Sequence, residues 1–373
     1  MAENERYEQL EKAVQYAIDS NYVVYNRQLE LLKQLKTYTN ICIFGFGRFF
    51  IEGYPYVKKL LNAKYICDNH IDKAIEEGRE TYGLTCLRME QLEMLDDVFI
   101  VIMVGKDYLE IKQELDNKRL KNIYLGDLIL NMYTPKHNSA WFAREKENIL
   151  GAFKLFEDNV SQENYVEIIC NRIAPHLSKK SFENIKTEGE YFSTGLLQYS
   201  DQEIFVDVGA YIGDTIEQFQ DQIIKKNFGY KKIYAFELEN RLMGQLKATV
   251  QSLDLENIEI FNKGISEKDD ELNSMVCLDT MFNDRKFTLI KMDIEGYEWG
   301  ALHGGKNVIK KWKPQMAICL YHCLEDLWRI PQYVKELNPE YQLYLRHHSP
   351  VVWDSVLYAA TKSKYPAEND GVV

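Results

Sequence analysis

Short apolar, β-branched runs recur along the chain, separated by stretches in which apolar residues return every three or four positions. The first pattern belongs to buried strands and the second to amphipathic helices. Over 40–130 the runs NICIFGFG (40–47), AKYICDN (63–69), VFIVIMVG (98–105) and KNIYLGD (121–127) read as strands, with helical periodicity over 48–61 and 106–118. The alternation resumes at IFVDVGAYIGDT (204–215), which runs from a strand through a glycine turn into a helix. KKIYAFE (231–237), NIEIFNKGIS (257–266), FTLIKMDIEG (287–296) and PQMAICLYH (314–322) follow as strands, and a helix is predicted from Leu324 to Leu337. YQLYLRH (341–347) and VVWDSVLYA (351–359) form a terminal pair joined at Ser349-Pro350. The pattern predicts an α/β protein with two doubly wound, Rossmann-like units.

The flanking stretches are helical. Residues 3–38 carry Leu, Val, Ile and Tyr at helical spacing and contain neither Gly nor Pro. Their apolar stripe must bury against a domain or against a second copy of the chain, which would make a homo-oligomer. SAWFAREKENILGAFKLF (139–156) and SQENYVEIICNRIA (161–174) are helical, interrupted afterwards by Pro175 and Gly189. The expected division is a helical segment at 1–38, a Rossmann-like domain at 39–130, a helical connector at 131–200, a second α/β domain at 201–361 and a flexible tail at 362–373.

Candidate chemistry gathers at strand ends. In 204–215, Asp207 precedes Gly209 and Gly213, and Asp214 and Thr215 open the helix. Gly209 suits a positive φ and close approach of a ligand to the backbone, and Gly213 suits close helix packing. An acid ahead of the first glycine differs from the dinucleotide fingerprint. It suits a ligand with positive charge, such as the amino group and sulfonium of S-adenosylmethionine (SAM). Glu237, ending the next strand, can accept from both hydroxyls of a ribose. Asp293 and Glu295 end a later strand, and His322 ends the one after it.

These blocks resemble the FkbM-type SAM-dependent methyltransferases over residues 201–360. The resemblance rests on DVGAYIGDT, YAFE, LDT at Asp279, KMDIEGYEWGALHGG and PQMAICLYH. It implies a class I methyltransferase fold, a seven-stranded sheet with a terminal antiparallel pair, and SAM as cofactor. Asp207, Gly209, Gly213, Asp214, Glu237 and Asp293 are then the cofactor-binding candidates. His322, ordinarily titrating near neutral pH, is the candidate base, with Asp293 as its orienting partner or as an acid on the cofactor. Tyr191 and Phe192, just before the glycine-turn strand, are candidates for lining the pocket or for the core. Glu295 either caps the following helix or acts in catalysis, and His347 and His348 are weaker candidates.

In the first domain, Gly45 and Gly47 match half of a dinucleotide fingerprint, and Asp68 follows where a ribose-binding acid would stand. Phe50 occupies the place of the third glycine. A nucleotide or nucleotide-sugar pocket and a unit that only packs are both compatible with that half motif. Asp293, Glu295, His322 and His347 are the residue types of a cation site, but no tight ligand motif joins them, and no metal is expected.

Composition narrows the field. A net charge of −12 disfavours a general nucleic-acid grip, and 46% hydrophobic residues are ample for two cores. The seven cysteines are scattered and include no CxxC pair, which argues for free thiols in a reducing compartment. Cys319 and Cys323 flank His322, though Cys319 falls inside a predicted strand. The first twelve residues lack an apolar signal core, and the longest apolar stretch, 98–104, cannot span a bilayer. The expectation is a cytoplasmic O-methyltransferase acting on a hydroxyl of a small polar acceptor: a sugar, a nucleotide-linked sugar, or a glycan or natural-product intermediate. The rivals are a nucleotide-dependent oxidoreductase using Gly45, Gly47 and Asp68, and a non-catalytic binding protein that keeps the SAM fold.

Overall fold

The computed structural model describes residues 2–20, 24–105, 108–127 and 136–361; the tail expected at 362–373 lies outside them. Two compact units emerge, one of residues 17–142 and one of 1–16 together with 143–373.

The unit 17–142 holds a five-stranded parallel sheet. Its strands are β1 (Asn40–Phe44), β2 (Tyr65–Cys67), β3 (Thr85–Leu87), β4 (Val98–Ile102) and β5 (Asn122–Tyr124), in the order β3-β2-β1-β4-β5. Ile41, Cys42, Ile43 and Phe44 are all buried. A strand covered on both faces is apolar throughout rather than alternating. β3 adds to the four strands legible in the sequence. Leu32 and Leu35 of the helix Val24–Leu35 join this core beside Phe46, Phe50 and Tyr54.

The second unit is built on a seven-stranded sheet. Its strands are β6 (Ile204–Val208), β7 (Lys232–Phe236), β8 (Ile258–Phe261), β11 (Leu289–Met292), β12 (Gln315–Cys319), β13 (Tyr341–His347) and β14 (Ser355–Thr361). A separate two-stranded pair joins β9 (Gly264–Ile265) to β10 (Met275–Val276). The large sheet runs β13-β14-β12-β11-β6-β7-β8. Neighbours from β12 to β8 are parallel, and β14 lies antiparallel between β12 and β13. Chain order reverses between β6 and β11, which opens a crevice beyond their carboxyl ends.

The helix Asp214–Lys225 follows β6 directly. Gly213 at its N-cap has φ 93°, Asp214 and Glu217 in the first turn suit the helix dipole, and Ile216, Phe219 and Ile223 form the buried stripe.

The helix Asn159–Ile173 is part of this unit's body rather than a connector. Tyr165, Val166, Ile168, Ile169 and Cys170 are fully buried. The polar Ser161, Asn164, Glu167 and Arg172 are buried with them, so the helix is covered on most sides. Asp158 caps it by accepting from Ser161 N (2.7 Å), and Arg346 of β13 donates to the same carboxylate at 2.6 Å. The stripe of the helix Glu3–Asp19 is spent in the same place. Leu10, Ala13 and Val14 are fully buried, Arg6 donates to Gln162 (3.0 Å), and Gln9 donates to Glu167 (3.1 Å). Among the described residues no helix is long and apolar enough to cross a membrane.

Candidate active site

The site forms where β7, β6, β11 and β12, adjacent in the sheet, end. After β6 the chain turns at Gly209 (φ 84°), where Gly209 and Ala210 both donate to the Phe236 carbonyl, at 3.0 and 2.9 Å. A Cβ on Gly209 would stand 2.0 Å from the Asp293 carbonyl oxygen. The glycine thus permits close contact with the neighbouring strand end, a stricter demand than approach of a ligand. Gly213 makes room for Thr249 and Leu246 of the helix Met243–Ser252, which a Cβ would meet at 3.0 and 3.3 Å.

Asp207 is fully buried on β6. Its carboxylate accepts from the Thr215 hydroxyl and lies 3.3 Å from Lys291 Nζ. Lys291, 2% exposed within the otherwise apolar β11, also donates to the Gly209 carbonyl (2.6 Å) and lies 5.6 Å from the Tyr191 ring centre. Burial works against the lysine's charge, but the Asp207 and Asp293 carboxylates override it and raise its pKa above the ordinary value. Asp207 and Lys291 together lock the glycine turn, so Asp207 serves the turn itself. Asp214 is exposed on the first helical turn.

Glu237 ends β7 and is 7% exposed. One carboxylate oxygen accepts from Tyr211 N (2.9 Å) and the other from Glu239 N (2.7 Å). Burial pushes this carboxyl above its usual value, and the backbone bond from Glu239 opposes the shift.

Asp293 ends β11. Tyr191 donates to one of its oxygens (3.0 Å), Tyr321 to the other (3.1 Å), and His322 Nε2 lies 3.5 Å away. Burial alone would raise this carboxyl; the Lys291 and His322 charges and the two hydroxyls hold it below the usual range. Tyr191 therefore reaches the site, whereas Phe192 packs edge-on against Phe205 and Phe219 in the core. Tyr191, Tyr211, Glu295 and Asp354 all have φ between 48° and 60°. For Tyr191, Tyr211 and Glu295 the strained backbone lies beside the Asp293 carboxylate or the Glu237 bond.

His322 follows β12, with Nδ1 2.9 Å from Glu298 Oε1 and Nε2 3.3 Å from Glu295 Oε2. Glu298, fully buried, also accepts from Ile294 N (2.8 Å) at the start of the helix Glu298–Gly304. Burial would favour the neutral ring, but Glu295 and Glu298, with Asp293 beyond, hold it protonated well above the ordinary histidine value. The three carboxylates around the ring thus favour its charged form in the ligand-free site. Donor atoms of Asp293, Glu298 and His322 all lie within 4.8 Å of one another.

His347 does not join them. It is fully buried at the end of β13 with Nδ1 2.9 Å from Ser355 Oγ, and burial pushes it down to about 3. His348 bridges the Thr187 carbonyl (2.8 Å) and Tyr358 OH (2.9 Å) and is pushed down by burial to about 4. Both rings are neutral parts of the packing. Cys319 lies 3.4 Å from Tyr191 OH, and burial pushes the Cys323 thiol up to about 12. Sequence reasoning missed Lys291, Glu298 and Tyr321. A lysine inside the apolar run LIKM was the one available signal.

In the unit 17–142, Gly45 (φ 117°) turns beneath the Met103 carbonyl, 2.5 Å from where a Cβ would be. Asp68 accepts from Phe46 N (2.7 Å) and His70 N (2.8 Å), and Arg79 donates to the Phe46 carbonyl (2.6 Å). The chain's own carboxylate thus occupies a backbone N–H of the half fingerprint. Gly47 caps the helix Arg48–Leu61 without a side-chain bond, and Phe50 is fully buried in an aromatic cluster. These contacts give Asp68 a local structural role.

Among solved structures, the chain is similar to the methyltransferase FkbM from Methylobacillus flagellatus KT. The identity is 21%, the TM-score is 0.65, and 96% of this chain and 99% of that one are covered. An rRNA methylase from Streptococcus thermophilus matches at 18% identity and TM-score 0.33 over 44% of this chain and 88% of that one. A SAM-dependent methyltransferase from Aquifex aeolicus matches at 14% and 0.31 over 44% and 85%. No curated protein matches the chain. Residues 207–348 match the methyltransferase FkbM domain, a span that starts at the buried Asp207 and takes in Glu237, Lys291, Asp293 and His322. This stretch of the chain is thus similar to the methyltransferase FkbM domain.

Proposed function

We propose that the protein is a SAM-dependent O-methyltransferase, its seven-stranded unit a class I methyltransferase fold. The acceptor is a hydroxyl of a small polar molecule: a sugar, a nucleotide-linked sugar, or a glycan or natural-product intermediate. The observation that carries the reading is Glu237. Each of its oxygens takes one backbone N–H, which leaves each a second lone pair for one of the two ribose hydroxyls. The Gly209 turn beside it offers the surface on which the rest of the nucleoside would lie. Asp293 and His322, one and two strands further along the sheet, mark the acceptor side.

Methyl transfer is an in-line displacement. The acceptor oxygen bonds to the methyl carbon as the carbon–sulfur bond breaks, and the sulfonium becomes a neutral thioether. Alignment is the protein's main contribution, worth about 7–11 kcal/mol in the best-oriented systems. Seven free cysteines fit a cytoplasmic setting.

Calorimetric titration with SAM tests the reading. The wild type should bind, and Glu237→Ala should lose about 1.5–3 kcal/mol of affinity. Absence of SAM binding at millimolar concentration, or equal affinity in the variant, defeats it. Methyl-labelled SAM with a panel of sugars then identifies the acceptor.

A further inference from the structure

We infer that Asp293, His322 and Glu298, with Glu295 at the open side, form a binding site for one divalent cation. The acids alone would not justify this; the buried histidine among them does. His322 is 7% exposed, and neither ring nitrogen has an aligned hydrogen-bond partner, although carboxylate oxygens stand 2.9, 3.3 and 3.5 Å away. Glu298 is fully buried, and its Oε2 also lacks a partner. Close, unaligned contacts suit a spherical ion, which needs distance and charge but no donor direction.

The spacing fits as well. Two donors held about 2.1–2.3 Å from one cation stand about 3–4.5 Å apart. The Glu295 and Asp293 oxygens stand 3.3 and 3.5 Å from His322 Nε2, inside that range, and donor atoms of Asp293, Glu298 and His322 fall within 4.8 Å of one another. Oxygen donors with one imidazole select Mg²⁺, Mn²⁺ or Fe²⁺ over softer ions. Glu295, its side chain 88% exposed, leaves that side open to water and acceptor. His347, suggested by sequence as a fourth ligand, is held by Ser355 and stays outside.

The role assigned to the ion rests on the methyltransferase reading. A bound cation would hold the acceptor hydroxyl as a Lewis acid and ease loss of its proton to water. The oxygen then bonds to the methyl carbon, and the pair of the broken carbon–sulfur bond stays on sulfur.

The test uses the full chain, freed of metal by chelation and titrated with MnCl₂ while free Mn²⁺ is followed by electron paramagnetic resonance. One Mn²⁺ per chain is expected. Asp293→Asn and His322→Asn should weaken uptake at least about tenfold. Glu295→Gln, at a side chain 88% exposed, should weaken it by a smaller factor. No uptake by the wild type at millimolar Mn²⁺, or uptake unchanged in folded Asp293→Asn and Glu295→Gln, overturns the inference. SAM titration of the same samples separates the two claims. SAM binding without Mn²⁺ uptake defeats the cation site alone, and uptake without SAM binding defeats the methyltransferase reading alone.

Discussion

Replacing Lys291 with methionine keeps the length of the side chain and removes its charge. Asp207, fully buried, would then keep only the Thr215 hydroxyl, and the Gly209 carbonyl would lose its 2.6 Å donor. Breaking a buried pair from one side costs about 3–5 kcal/mol, because the remaining charge has nowhere to go. That is a large share of a total stability of about 5–15 kcal/mol. Urea unfolding followed by tryptophan fluorescence reads the effect in the relevant unit, which holds Trp299, Trp312, Trp328 and Trp353. The double variant Asp207→Asn/Lys291→Met leaves no buried charge and should recover about 2 kcal/mol or more relative to Lys291→Met. A loss below about 1 kcal/mol in the single variant, or a double variant equal to the sum of the two singles, would refute the argument.

Gly209→Ala places a methyl 2.0 Å from the Asp293 carbonyl at φ 84° and should cost more than about 2 kcal/mol, with SAM binding reduced; a melting temperature equal to wild type speaks against the tight contact. Asp158 is partly desolvated, which raises its pKa, but Arg346 and Ser161 outweigh this and hold it below the usual range. Its contribution is therefore present above the ordinary aspartate pKa and lost as pH falls through the lowered folded value. Asp158→Asn keeps the helix cap and removes the charge, so the variant should cost up to about 1 kcal/mol at pH 7 and lose less on acidification below pH 4. Parallel melting curves for the two proteins from pH 7 to pH 3 would count against it.

The residues legible in sequence share one property: each stands where an apolar run stops. Gly209, Glu237, Asp293 and His322 could be placed on one rim because strand ends of a parallel sheet gather there. The same rule misled at His347 and His348, since a strand end says nothing about whether a ring turns outward or inward. Lys291 was invisible as a partner of Asp207 because pairing depends on the register of β6 with β11. Glu298 was hidden for another reason. It reads as an ordinary acid of a first helical turn, and only the arrival of His322 from the next strand changes its meaning. The helical periodicity of 161–174 was visible, but which sheet the helix covers depends on β13, far along the chain.

One unit is assembled from the two ends of the chain, and this bears on synthesis. Residues 17–142 are contiguous and can complete their sheet as soon as they emerge from the ribosome. The helix Glu3–Asp19, made before Asn159–Ile173, must wait with Leu10, Ala13 and Val14 uncovered until that later helix appears. Throughout that interval its apolar stripe stays uncovered, and the unit with the seven-stranded sheet is the last part of the molecule to close.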